Sequence, residues 1–302
     1  MEQPPIFAIG APRSGTTVFF EVFGRHPDLA WPSNYTEKYP AKHGLNLLRR
    51  ILDNRFYRFY GMKPQYGAPW YNKYLFRPGE AYRFWDHFSG QGKGFSRGYL
   101  LGQNASAEAK EDLNAAVESI RSKQDRPRFS CKLTGPSRLT YMDSVFPGAY
   151  YIHIVRDGRA VTESLMRVPF WEKGGGFDGP YWQGGFPQEY EKLWQQSGKS
   201  PEVLTALQWR AIIEHTWAEA KACIPQERYI EIRYEDFVES PVEVVSEAYR
   251  KCELKIPEQD LERWTSSFVR KDMNKKAKNL EKGSEQELGQ LLAPTLETLG
   301  YS

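Results

Sequence analysis

The sequence predicts an α/β fold, a central parallel sheet flanked by helices. Two observations predict it. Short apolar strands alternate with helical segments along the chain, and the run YYIHIV (Tyr150 to Val155) is almost continuously apolar, as in strands covered on both faces. Ile6 to Ile9 is an apolar run ending at Gly10; after a loop, TTVFFEVFGRH has a helical rhythm that stops at His26-Pro27. RFSCKL from Arg128 reads as a second strand, and Leu139 to Phe146 as a helix stopped by Pro147-Gly148. Tyr150 to Val155 is the third strand, with a helix over Gly158 to Arg167. Leu204 to Cys223 is a longer helix whose Leu207, Ile212, Ile213, Trp217 and Ala220 form a stripe. Arg228 to Ile232 is a fourth strand and Val242 to Cys252 a further helix.

The 302 residues, 40% hydrophobic and 15% aromatic, suffice for one large core, and the reading is of one domain over 1–302. No internal repeat or low-complexity block interrupts it. The net charge of +3 (41 basic against 38 acidic residues) is too mild for a nucleic-acid binder, yet compatible with a local pocket for a small polyanion. Cys131, Cys223 and Cys252 lack metal-site spacing, and an odd, sparse set fits a reducing compartment. The apolar runs fall short of a membrane span, and MEQPPIFAIGAPRSG has neither a basic n-region nor a signal-type apolar stretch, so a cytoplasmic protein without a membrane anchor is expected.

Two segments break the alternation. Residues 54–104 are rich in Tyr, Phe, Trp, Gly and charges, and 168–199 contain EKGGGFDGPYWQGGFP. Long loops on a compact scaffold carry function or are disordered, and aromatics among glycines favour lids.

Between the first strand and helix lies Gly10-Ala-Pro-Arg-Ser-Gly-Thr-Thr17. Two glycines separated by four residues, opening a helix, let backbone N–H groups wrap a phosphate. Gly15 permits close approach, while Ser14, Thr16 and Thr17 offer hydroxyls. A nucleoside-triphosphate loop would end Gly-Lys-Ser/Thr; this one ends Gly-Thr-Thr, with its basic residue, Arg13, before the second glycine. No Asp after an apolar strand is clearly placed for Mg²⁺. Both points argue against an ATPase or kinase.

The loop resembles the 5′-phosphosulfate loop of sulfotransferases that use 3′-phosphoadenosine-5′-phosphosulfate (PAPS) and release 3′-phosphoadenosine 5′-phosphate (PAP). The second half of the resemblance is YYIHIVRDGRAVTESLM, similar to that family's 3′-phosphate motif: an apolar strand ending in Arg156, and Ser164 eight residues later on the following helix. An Arg at a strand's carboxyl end clamps phosphate with two hydrogen bonds, and a Ser two helical turns on adds one. The resemblance runs from about Ile6 to Tyr301, is weaker in the middle, and is nearest the tyrosylprotein, carbohydrate and bacterial branches in Val155-Arg-Asp-Gly-Arg-Ala160. It implies a P-loop-like fold and a role against the adenine for Tyr234 of Arg233-Tyr-Glu-Asp-Phe237. It also implies that a lysine of the tail near Asn274, Lys276 or Lys278, reaches the cofactor phosphate; Lys278 is our assignment.

Sulfuryl transfer resembles phosphoryl transfer in its demands: charge stabilised on bridging and equatorial oxygens, nucleophile and leaving group in line. The family is expected to meet them without a metal. The resemblance implies Arg13 at the bridging oxygen and Lys132 in Ser130-Cys-Lys-Leu-Thr134 at the leaving group. Sulfotransferases of phenols and steroids carry a His two residues after that lysine; Thr134 stands there, so that base is excluded. The tyrosylprotein and carbohydrate branches use a Glu after the first helix, and Glu37, a few residues later than their pattern, is the only Glu of that region. His43 and His87 are alternative bases, and Asp28 is too close to the helix end. The expectation is a sulfotransferase acting on a hydroxyl, or in second place an amine, of a small molecule or carbohydrate. A P-loop kinase or nucleotidase, or a non-catalytic PAP-binding protein, is the alternative.

Overall fold

Strands form where β-branched and aromatic residues cluster, and among the described residues five strands, β1 (Ile6–Gly10), β2 (Leu29–Ala30), β3 (Arg128–Thr134), β4 (Tyr150–Val155) and β5 (Tyr229–Arg233), pair in parallel in the order β2-β3-β1-β4-β5. The computed structural model describes residues 3–52, 76–269 and 282–301. β1 (Ile6–Gly10) leads through the glycine loop into α1 (Thr16–Phe23). β2 (Leu29–Ala30), α2 (Asn34–Lys38) and α3 (Leu48–Leu52) follow. Next come α4 (Tyr82–Phe88), α5 (Gly94–Arg97) and α6 (Ala107–Gln124), then β3 (Arg128–Thr134) and α7 (Leu139–Val145). β4 (Tyr150–Val155) precedes α8 (Gly158–Met166), α9 (Pro169–Lys173), α10 (Gln188–Gln196) and α11 (Pro201–Cys223). β5 (Tyr229–Arg233) is followed by α12 (Tyr234–Glu239), α13 (Pro241–Lys251), α14 (Glu258–Phe268) and α15 (Lys282–Thr298).

Both faces of the sheet are covered, which is why its strands read as apolar rather than alternating. On β1, Ile6 and Ala8 enter a core with Phe19, Phe23, Phe237 and Tyr249, while Phe7 enters the opposite one with Trp85, Phe129 and Tyr151. The register pairs Gly10 with Thr134 and Val155 with Arg233, so the strands end together at one edge of the sheet. Ligands of open α/β sheets bind outside that carboxyl edge. The glycine loop, Lys132, Arg156 and Tyr234 lie on or just beyond the ends of β1, β3, β4 and β5.

The expected strands and helices are present, with shifts of a residue or a few at their ends; β5, for example, begins at Tyr229 rather than Arg228. Trp217 departs from the expected buried stripe of α11: it is only half-buried and donates its indole N–H to Glu231 at 2.6 Å. The 18-residue α6 was not read from the sequence, although Ser106 caps it through the Ala109 N–H (3.2 Å) and Leu113, Ala116, Val117 and Ile120 bury one face. Asn274, Lys276, Lys278 and residues 54–75 of the first insertion lie outside the described residues.

Candidate active site

The glycine loop is wound tightly enough to need unusual backbone. Arg13 has φ 70° and Gly15 φ 90°, in the left-handed region. A Cβ on Gly15 would stand 2.1 Å from the Tyr234 ring, so only glycine fits against that tyrosine. Ser14 is fully buried; its N–H donates to the Ala11 carbonyl at 3.2 Å, but its hydroxyl has no partner among the described residues. A buried hydroxyl left unpaired beside a helix N-terminus fits a loop built for an acceptor-rich ligand such as phosphate.

The two separated motifs meet at this loop. Arg13 Nε donates to Ser164 Oγ at 3.0 Å, and an Arg156 guanidinium N–H donates to the Arg13 carbonyl at 3.1 Å. The Arg156 guanidinium lies over the Tyr234 ring, 4.7 Å from its centroid. Tyr234 is 4% exposed, covered by Gly15 and Arg156. Arg13, Ser14, Gly15, Arg156, Ser164 and Tyr234 therefore form one corner. Thr16 is buried at the start of α1, and Thr17 faces the neighbouring cleft.

That cleft has a volume of about 340 Å³ and lies between α1, α2, Lys132 of β3 and the segment Arg77–Tyr82. Lys132 Nζ donates to Thr17 Oγ1 at 2.7 Å and stands 3.6 Å from Glu80 Oε1. Thr134 Oγ1 donates to the same Glu80 oxygen at 2.6 Å, and the Tyr82 hydroxyl donates to the Thr134 carbonyl. Among the described residues, three carboxylates line the cleft: Glu21, Glu37 and Glu80. Burial pushes the Glu21 carboxyl up to about 7, against the opposing pull of Arg25, Lys132 and Arg77.

Glu37 lies on α2. Ser33 caps this short helix by accepting from the N–H groups of Tyr35 and Thr36, each at 3.2 Å, and Thr36 Oγ1 accepts from the Ser33 N–H at 3.1 Å. The helix turns Glu37 into the cleft, where its Oε2 accepts from the Arg83 N–H at 3.0 Å in the first turn of α4. Neither His43 nor His87 lines the cleft. His43 packs on Phe84 and Phe88, where burial lowers its pKa, and His87 is exposed against Phe88.

Arg77 to Tyr82, from the first insertion, form the cleft wall, whereas no residue of 168–199 lines it. Trp171, Tyr181 and Trp182 of that second segment instead pack on one another and into the core beside α11. Sequence reasoning missed Glu21 and Glu80. Glu21 had a signal, a lone carboxylate one turn after Thr17 on an apolar helix; Glu80, inside an irregular insertion, had none.

Among the described residues, no group of three or more His, Cys, Asp or Glu side chains could hold a metal ion, and no helix is long and apolar enough to cross a membrane. Comparison with the curated proteins finds no match. The fold is similar to that of sulfotransferase STF9 from Mycobacterium avium, with TM-score 0.59 and 18% identity, covering 100% of this chain and 78% of that one. Sulfotransferase STF1 from Mycobacterium tuberculosis H37Rv gives 0.53 and 16%, covering 97% and 77%. A sulfotransferase domain from the curacin biosynthetic pathway gives 0.51 and 17%, covering 99% and 98%. At these identities the likeness is one of fold. The model of the sulfotransferase family matches residues 4–258, most of the sequence, and on that match the chain belongs to the sulfotransferase family and is an enzyme of that class.

Proposed function

We propose that the chain transfers a sulfuryl group from PAPS to a hydroxyl of a small-molecule or carbohydrate acceptor. The observation that carries the reading is the junction of the two motifs: Arg13 bonded to Ser164 and Arg156 bonded to Arg13, around the unpartnered Ser14 hydroxyl. The residues fit the donor. N–H groups of Ser14 to Thr17 and the hydroxyls of Ser14, Thr16 and Thr17 would hold its 5′-phosphosulfate end. Arg156 and Ser164 would hold the 3′-phosphate, with Lys278 carried from the resemblance as a further contact. Tyr234 backs the loop and supports Arg156 by its ring face. PAPS, when bound, supplies an activated sulfuryl group and a stable leaving phosphate.

The chain's own groups then divide the work. Arg13 and Lys132 offset negative charge that grows toward the leaving side, which is worth most where water is excluded. Glu37 faces the open cleft and takes the proton of the attacking hydroxyl. The cleft holds the acceptor between α1 and the Arg77–Tyr82 wall. Three free cysteines accord with action in a reducing cytoplasm.

The test is ligand discrimination. PAP at roughly 100 times its dissociation constant should stabilise the folded protein by about 2.7 kcal/mol, read as a rise in melting temperature. ATP, which lacks a 3′-phosphate for Arg156 and Ser164, should give much less. Equal shifts would overturn the assignment of the second motif. Transfer of radiolabelled sulfuryl from PAPS to a small-molecule extract then identifies the acceptor.

A further inference from the structure

The ion pair between Lys132 and Glu80 joins the donor corner to the acceptor cleft, and nothing in the transfer scheme above uses Glu80. The pair is half-buried, with side chains 13% and 26% exposed, so water and salt screen it less than a surface pair. Its two members differ in freedom. Glu80 is held at several points: Oε1 accepts from Thr134 Oγ1 at 2.6 Å, and its carbonyl accepts from Trp85 Nε1 at 3.0 Å and from Cys131 Sγ at 3.7 Å. Lys132 carries its ammonium on a flexible stem and also donates to Thr17, in the first turn beyond the glycine loop. The carboxylate therefore stays while the ammonium has room to move between it and an anion on the loop.

We propose that Glu80 is a positioning residue that competes with bound nucleotide for the Lys132 ammonium and so hastens release of PAP. The proposal rests on the donor reading above. A bisphosphate on the loop draws on the positive charge of Lys132, while a fixed carboxylate 3.6 Å from Nζ offsets part of that charge. Glu80 thereby loosens the nucleotide. Glu21 lies in the same cleft and acts on Lys132 with the same sign, while Arg77 opposes both. What sets Glu80 apart is its direct pairing with Lys132 and its anchoring to Thr134.

The experiment uses PAP alone, so it needs no acceptor. The dissociation constant and dissociation rate of PAP are measured for the wild-type protein, Glu80→Gln, Lys132→Ala and the double variant, with Glu80→Ala as a second removal of the charge. Glu80→Gln and Glu80→Ala should bind PAP about three- to tenfold more tightly, mainly through slower dissociation. Lys132→Ala should bind it more weakly. On the Lys132→Ala background, Glu80→Gln should have no effect, because the competition has lost its object. A purely structural role for Glu80 would instead weaken PAP binding or leave it unchanged, and either result overturns the proposal. The same tightening without Lys132 overturns it too. A wild-type protein that fails to bind PAP overturns the donor reading itself, and this inference with it.

Discussion

The corner around Arg13 and the cleft around Glu21 adjoin each other but are built differently. The corner draws on short connections at the ends of adjacent strands: the loop after β1, Arg156 one residue past β4, and Tyr234 one residue past β5. Its groups bond to one another, Arg13 to Ser164 and Arg156 to Arg13, and are in place before any ligand arrives. The cleft collects Glu21, Glu37, Glu80, Arg77 and Lys132 from α1, α2, an insertion and β3. Its carboxylates are unequal. Glu37 accepts the Arg83 N–H, Glu80 is tied to Thr134 and Lys132, and Glu21 is held up to about 7 by burial. A phosphate at the corner would meet backbone N–H groups and a helix terminus that the fold supplies, with Arg156 and Ser164 beside them. An acceptor is recognised by side chains, which each chain chooses separately.

The largest expected effect tests which carboxylate of the cleft takes the proton. Glu37→Gln keeps an oxygen for the Arg83 N–H but removes the basicity. Turnover at saturating donor should fall about 10²–10⁴-fold, with PAP affinity nearly unchanged. If turnover survives, Glu37 serves as a helix cap and the proton goes to another cleft carboxylate.

A smaller effect concerns the stability cost of the cleft's charge. With its folded pKa raised to about 7, Glu21 is protonated in both folded and unfolded chains at low pH. As pH rises from its ordinary value of 4.5 toward 7, the unfolded chain ionises first, so stability falls. Above that range the deficit is complete. Glu21→Gln removes it, so denaturant titrations at pH 4 and pH 8 should show the variant losing less stability than wild type. The difference should be on the order of 2 kcal/mol, since water in the open cleft relieves part of the burial cost. Identical pH dependence in the two proteins would show that the Glu21 carboxyl is well hydrated.

An effect of similar size belongs to the corner. Arg156→Ala should weaken PAP binding by about 1.5–3 kcal/mol, measured by calorimetry, and weaken ATP binding by less. Because Arg156 also supports the Arg13 carbonyl, part of that loss should appear as a loosened loop, visible as faster amide exchange at residues 13–17. An equal loss for ATP and PAP would mean that Arg156 acts only through the loop.

The sheet, its parallel character and the glycine loop were legible because their signals are local. Apolar runs mark strands buried on both faces, and the spacing of Gly10 and Gly15 marks a loop before a helix. Glu37 was found by its place in the order of the chain, but its helix was not, since α2 is a single capped turn with no room for periodicity. His43 and His87 were reasonable by residue type; packing against Phe84 and Phe88 directed them away from the cleft.

The sequence by itself therefore determined the α/β layering and the glycine loop between β1 and α1, whose parts lie within a few residues of one another, and two motifs whose order matched a known family. Tertiary structure alone decided that Arg13 meets Ser164, 151 residues away, that Tyr234 closes on Gly15, and that Glu80 pairs with Lys132. The reason is physical. Backbone geometry and burial pattern follow from neighbours along the chain, whereas contacts between side chains on different strand ends depend on the order and register of the sheet, which no local stretch of residues encodes.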